Sequence, residues 1–100
     1  LSISPMDLTA AYAVFANGGY KVEPFMIDHI TDKDGKILLQ AKPSIACNHC
    51  DNVDHSVLAP RVVPEDIVYL MNSALRDVIQ HGTARAARSL NRQDIAGKTG

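Results

Sequence analysis

Lys98, Thr99 and Gly100 bring together an ammonium group, a hydroxyl group and a position without a side chain. A carboxylate is held well by a charge-assisted donor and a neutral hydroxyl acting together. The glycine removes the side chain that would keep an extended peptide from lying along the backbone. The tripeptide is therefore suited to a site in which a substrate lies along the edge of a strand. The alternative is that Lys98 is a solvated charge on a strand edge.

A second group of residues that could bind a metal or undergo redox chemistry is Cys47-Asn48-His49-Cys50, followed by His55. Two thiolates and an imidazole are zinc ligands by type, and the same Cys-x-x-Cys spacing allows a reversible disulfide. No fourth ligand follows at the spacing of a zinc ribbon. The pattern leaves three states open, namely a disulfide, free thiols, or a structural metal site formed by Cys47, Cys50 and His55.

Composition sets limits on the class of protein. The 100 residues are 46% hydrophobic and 21% charged, which is typical of one soluble globular domain or part of one. A formal net charge of −1 gives no field that would attract nucleic acid or an anionic membrane. No apolar run approaches the roughly 20 residues that a membrane span requires. We therefore expect no nucleic-acid partner and no membrane contact from this segment. No cofactor is expected either.

The first half of the chain predicts a helix, a hairpin and a loop. Ser4 and Pro5 are typical of a helix start, and glycines follow Asn17, so a helix is predicted over residues 5–17. Apolar and charged side chains alternate over residues 20–23, which predicts a short strand. Asp34-Gly35 predicts a hairpin turn before a return strand over 36–40. Residues 41–60 show no period and are interpreted as a loop insertion.

The second half predicts a longer amphipathic helix that starts at Pro64 and stops before Gly82. Its apolar stripe consists of Ile67, Met71, Ala74, Leu75, Val78 and Ile79. Thr83 is expected to cap a further short helix reaching Leu90, and this local explanation gives Thr83 no catalytic role. Residues 94–99 are predicted to be a strand that ends in the Lys-Thr-Gly tripeptide.

The whole pattern resembles a known family. Residues 4–22 read SPMDLTAAYAVFANGGYKV, which closely resembles the transpeptidase domain of class A, bifunctional penicillin-binding proteins, and their 1A type in particular. Asp32-Lys33-Asp34-Gly35, Ala59-Pro60-Arg61, Gly82-Thr83-Ala84 and DIAGKTG at 94–100 follow in the same order. The resemblance covers nearly all of the chain outside residues 41–58. It implies an α+β fold shared with serine β-lactamases, with helices packed on an antiparallel sheet, and makes residues 1–100 part of a transpeptidase domain.

The resemblance also implies a function. In this family a serine opens the terminal D-Ala-D-Ala amide of a peptidoglycan stem peptide, and β-lactams acylate the same serine. By the resemblance, Lys98, Thr99 and Gly100 bind the substrate. The sequence contains no S-x-x-K, and therefore neither the nucleophilic serine nor its lysine, so no catalytic residue is expected in this chain. We expect the chain to be a segment of a longer enzyme and to be inactive without the remainder of its transpeptidase domain. The glycosyltransferase domain of that enzyme is expected to lie outside this chain.

The family further implies a location on the periplasmic face of the bacterial inner membrane, with the anchor outside this chain. In such a compartment a Cys47–Cys50 disulfide is favoured over free thiols or a metal. The rival hypothesis is a non-catalytic extracytoplasmic binding module. In that case the Cys-x-x-Cys loop contacts a partner and the Lys-Thr-Gly tripeptide is coincidental.

Overall fold

The computed structural model describes residues 2–100, which divide into two units on either side of the Val62–Val63 bond. The first unit contains helix α1 (Pro5–Ala16), strands β1 (His29–Thr31) and β2 (Ile37–Gln40), and a 3₁₀ turn at His55–Val57. The second unit contains helix α2 (Glu65–Gln80) and a 3₁₀ segment at Arg85–Leu90. The predicted α+β class is therefore observed as helices plus a small antiparallel sheet.

Helix α1 starts and stops where its local chemistry predicts. The Ser4 hydroxyl accepts a hydrogen bond from the backbone N–H of Asp7, and Pro5 occupies the first helical position. At the other end Asn17 donates its N–H to the carbonyl of Ala13, and the following glycines adopt positive φ angles. No residue of α1 is buried. Capping, rather than burial within this unit, therefore defines the helix.

The hairpin is short and its turn is held by one aspartate. Ile30 pairs with Leu39 across the two antiparallel strands. The Asp32 carboxylate accepts hydrogen bonds from the N–H groups of Asp34 and Lys36, each at 2.9 Å, and Gly35 takes φ 81°. The predicted turn is present, whereas the strand predicted over 20–23 is reduced to a single bridge between Tyr20 and Arg61.

The long loop returns to the segment that follows α1. Its ends lie side by side, since Ile45 pairs with Leu58 in an isolated bridge, and Ala59 beside them is buried. The chain then runs along the segment after α1, where the Lys21 N–H donates to the carbonyl of Pro60 at 2.9 Å. The loop is therefore tied at its base by backbone hydrogen bonds.

Helix α2 carries Glu65 and Asp66 in its first turn, as the dipole favours. Its buried side chains are Val68 and Ile79. Val68 does not belong to the predicted stripe, and Ile67 of that stripe is 44% exposed. The predicted amphipathic helix is present, but only part of its apolar face is covered. None of the helices in residues 2–100 is both long enough and apolar enough to span a bilayer.

Two expectations for the second unit are wrong. Residues 94–99 do not form a strand, because no other strand of residues 2–100 lies beside them to complete a ladder. A backbone hydrogen bond from the Gly97 N–H to the Leu75 carbonyl, at 3.2 Å, connects them to α2. Thr83 does not cap the next segment, whose N-cap is Ala84 without a side-chain hydrogen bond. The predicted short helix itself is present, as a 3₁₀ helix over Arg85–Leu90.

Candidate functional site

The turn after α2 is folded tightly onto the end of that helix. The Gly82 N–H donates to the carbonyl of Asp77 at 3.1 Å, and the Ala84 N–H donates to the carbonyl of Val78 at 3.1 Å. A Cβ atom at position 82 would lie 2.8 Å from the Cα of Val78, which is closer than real Cβ contacts. Only glycine fits without a shift of the helix backbone, and the turn fixes where Thr83 lies.

The segment that contains the Lys-Thr-Gly tripeptide is hydrogen-bonded to the same helix, α2. Gly97 is hydrogen-bonded to α2, and two residues later the Thr99 side chain comes to Thr83. The two threonine hydroxyl oxygens are 2.5 Å apart, so one hydroxyl donates to the other. The structure thus brings together two motifs that are separated by 16 positions in the sequence.

The three residues of the tripeptide differ in their surroundings. Lys98 is exposed, and its Nζ donates to the carbonyl of Thr99 at 2.6 Å. Thr99 is half-buried. A Cβ atom at Gly100 would meet no atom within 4 Å, so the space beside this residue is open. An ammonium group, a hydroxyl group and an unobstructed backbone therefore meet at one end of the second unit, which suits the binding of a carboxylate-bearing peptide.

An ion pair precedes the tripeptide. The Arg92 guanidinium donates to both carboxylate oxygens of Asp94, with its Nε 2.8 Å from Oδ1. These hydrogen bonds, followed by a hydrogen bond from the Asp94 backbone, lower the pKa of Asp94 to about 2, and the charges of Arg92 and Arg76 contribute less. Asp94 is therefore ionised at every physiological pH, and its charge is matched by Arg92.

The other candidate group lies in the first unit. Cys47 and Cys50 are joined in a disulfide, so their sulfur atoms are not thiolates available to a metal. In the described part of the chain, residues 2–100, no three metal-ligating side chains are grouped. The three-ligand set with His55 is therefore not formed.

Asn48 lies between the two cysteines, and its side chain joins a hydrogen-bond network that was not predicted from the sequence. Its Oδ1 accepts hydrogen bonds from Arg61 Nη2 at 2.7 Å and from the Tyr20 hydroxyl at 3.2 Å. The Arg61 guanidinium lies 4.5 Å from the centre of the Tyr20 ring, and its Nη1 donates to the Gly18 carbonyl at 2.7 Å. This network fastens the loop to the segment after α1. Arg61 stood within a family motif, which was the one signal pointing to it.

The chain matches a known family of protein domains. A sequence profile of the penicillin-binding protein transpeptidase domain matches residues 1–100. The chain therefore belongs to the penicillin-binding protein transpeptidase family.

Individual relatives narrow the class to one type. The chain is 41% identical over 97 residues to penicillin-binding protein 1A of Neisseria gonorrhoeae, and 33% identical over 135 aligned positions to that of Pseudomonas aeruginosa. These alignments cover 97% and 99% of this chain. They cover 11% and 16% of the relatives, so the chain spans a small part of their length. The predicted resemblance to the 1A type is confirmed.

A solved structure shows the same likeness in three dimensions. The crystal structure of penicillin-binding protein 1A from Haemophilus influenzae superposes with a TM-score of 0.81 at 36% sequence identity. The superposition covers 97% of this chain and 18% of that one. The predicted relation to the penicillin-binding transpeptidase fold is therefore confirmed.

Proposed function

We propose that this chain is part of a peptidoglycan D,D-transpeptidase, to which it supplies the Lys-Thr-Gly substrate-binding segment. The observation that carries the proposal is the position of Lys98, Thr99 and Gly100 at an open end of a chain whose relatives are penicillin-binding proteins. The substrates are the D-Ala-D-Ala termini of stem peptides, and β-lactams react as their mimics. Residues 1–100 are part of the transpeptidase domain, and residues 41–60 are a loop insertion within it.

In the proposed reaction the nucleophile comes from the remainder of the domain. A serine oxygen adds to the carbonyl of the penultimate D-Ala, the C–N bond breaks, and the terminal D-Ala leaves as an amine that takes up a proton. The amine of a neighbouring stem peptide then replaces the serine oxygen and completes the cross-link. This chain binds the substrate during both steps and contributes no atom to either bond.

The three residues have separate tasks. Thr99 donates a hydrogen bond to the terminal carboxylate of the stem peptide or of the β-lactam. Lys98 supplies positive charge, which favours the anionic substrate and stabilises a carboxylate more strongly than a neutral donor does. Gly100 leaves room for the substrate backbone. Since all three lie in one segment tied to α2, the donors are held in place before the substrate arrives.

The proposal also covers the activity of the isolated chain and the cellular location of the parent enzyme. Because the sequence has no S-x-x-K, the 100-residue chain alone has no turnover and does not react with penicillin. We place the parent enzyme at the periplasmic face of the bacterial inner membrane. A family profile that covers residues 1–100 includes the disulfide loop, which favours this proposal over a separate binding module.

The test is acylation of the full-length parent protein by a fluorescent penicillin. Thr99→Val and Lys98→Ala should each slow acylation about 10- to 100-fold, since each removes a hydrogen bond or charge on an anion. Lys33→Ala is the matched control, because Lys33 is an exposed lysine in the β1–β2 turn. It should acylate at the wild-type rate. Wild-type rates in both site variants would refute the assigned roles.

A further inference from the structure

The hydrogen bond between Thr83 and Thr99 has no part in the proposed function as stated. Thr83 comes from the Gly82-Thr83-Ala84 turn, and Thr99 comes from the substrate-binding segment. Their hydroxyl oxygens are 2.5 Å apart. A hydrogen bond that joins the turn after α2 to the residue proposed to bind the substrate calls for a role.

We propose that Thr83 is a positioning residue that orients the Thr99 hydroxyl toward the substrate carboxylate. The inference rests on the proposed function, in which Thr99 binds that carboxylate. A hydroxyl group has one proton to donate and two lone pairs to accept with, whereas a carboxylate can only accept. Thr99 must therefore keep its proton for the substrate. It does so when the Thr83 hydroxyl donates to Thr99 Oγ1.

The direction of this hydrogen bond also affects its strength. When Thr99 accepts from Thr83 and donates to the carboxylate, the two hydrogen bonds form a chain in which each polarises the other. Thr99 then becomes a better donor to the anion than a lone hydroxyl would be. Thr83 thus acts on the substrate through Thr99 without touching it.

The backbone supports this role because both hydroxyls are anchored to one helix. The turn carrying Thr83 is bonded to Asp77 and Val78, and the segment carrying Thr99 is bonded to Leu75 through Gly97. All these anchors lie within the last six residues of α2. The distance between the two hydroxyls is therefore set by a rigid element and not by two independent loops.

A purely local role for Thr83 does not account for its position. The sequence predicted that its hydroxyl caps the following segment, but that segment begins at Ala84 without a side-chain hydrogen bond. The hydroxyl oxygen is instead turned to Thr99.

The experiment measures the second-order rate of penicillin acylation in the full-length parent protein. Thr83→Val removes the hydroxyl at nearly constant volume and should lower this rate about 5- to 10-fold. Thr83→Ser keeps the hydroxyl and should stay within about 2-fold of wild type. Ser89→Ala is the control, since it removes another exposed hydroxyl of the second unit, one that donates to the Ala86 carbonyl. It should leave the rate unchanged.

Two further arms separate positioning from structural damage. In a Thr99→Val background, Thr83→Val should produce no additional loss, since there is no hydroxyl left to orient. With the methyl ester of the same penicillin, which lacks the carboxylate charge, the Thr83→Val effect should shrink to less than 2-fold. A disturbed turn would lower the rate equally in both backgrounds and with both compounds.

The outcomes distinguish this inference from the proposed function. If Thr99→Val is slow but Thr83→Val acylates normally, the positioning role is overturned and the proposed function stands. The positioning role is also overturned if Thr83→Val has the same effect in the Thr99→Val background, or with the methyl ester. If Thr99→Val acylates normally, the carboxylate role of Thr99 fails and the positioning role falls with it.

Discussion

At the residue scale, Gly82 is a position of the second unit where a side chain would collide with the backbone. Its missing side chain allows the turn to return onto the last turn of α2, where Thr83 is held. A Cβ atom there would meet backbone atoms of Val78, at 2.8 Å from Cα and 2.9 Å from the carbonyl oxygen. Backbone atoms of a helix cannot move aside as the end of a flexible side chain can.

Gly82→Ala should therefore destabilise the parent transpeptidase domain by about 1–3 kcal/mol, the range for inserting a methyl group into filled space. It should also slow penicillin acylation, because the turn that carries Thr83 must shift. Gly97→Ala is the control for stability, since a Cβ atom at Gly97 meets nothing within 4 Å. Equal thermal midpoints for the two variants would show that the turn accommodates the methyl group.

The residues of the site divide by how local their signal is. Lys98, Thr99 and Gly100 are adjacent, so their chemistry could be predicted from the sequence alone. The Thr83–Thr99 pair could not, because each threonine has an adequate local explanation and only the fold of α2 brings them together. The same holds for Asn48 and its hydrogen bonds to Tyr20 and Arg61, which join three separate parts of the first unit.

At the element scale, the helices were predictable because their signals are local. Ser4 and Pro5 define the start of α1 through their own hydrogen-bonding and φ preferences. The strand expected at 94–99 failed because a strand needs a partner, and strand pairing is a property of the fold and not of the segment. Val68 was missed for a related reason, since which face of α2 becomes covered depends on what packs against it.

The disulfide loop gives a prediction at this scale. By chain entropy, joining Cys47 to Cys50 closes a four-residue loop and stabilises the folded state by about 2 kcal/mol. A Cys47→Ser, Cys50→Ser double variant should lose about this much. Hydrogen exchange should then accelerate at the amides of Ile45 and Ala59, which form the base of the loop.

Asn48→Ala serves as the matched variant, because it keeps the disulfide and removes the acceptor for Arg61 and Tyr20. Its loss should be smaller, about 0.5–1.5 kcal/mol, since these groups are accessible to water. If the double cysteine variant has unchanged stability and exchange, the disulfide does not hold the loop.

At the scale of the whole molecule, the chain leaves much apolar surface uncovered. The buried hydrophobic residues among positions 2–100 are Ala59, Val68 and Ile79. Met26 is 88% exposed and Tyr69 is 74% exposed. Exposed apolar patches on this scale are typical of surfaces that pack against other protein. We expect the rest of the transpeptidase domain to cover them in the proposed parent enzyme.

The isolated 100-residue chain should therefore unfold in a broad, weakly cooperative transition, bind a hydrophobic dye and associate at rising concentration. It should not become labelled by penicillin. Calorimetry and sedimentation of the purified chain test this expectation. A sharp, reversible transition in a monomer would show that the chain has a sufficient core of its own.

The most direct test of the central claim is a crystal structure of the full-length parent protein acylated by a penicillin. We predict that the carboxylate of the bound drug lies within about 2.6–3.2 Å of Thr99 Oγ1, the range of a hydrogen bond. We also predict that the Thr83 hydroxyl remains hydrogen-bonded to Thr99 Oγ1 while Thr99 binds the carboxylate. A drug carboxylate held elsewhere, with Lys98 and Thr99 facing solvent, would contradict the account.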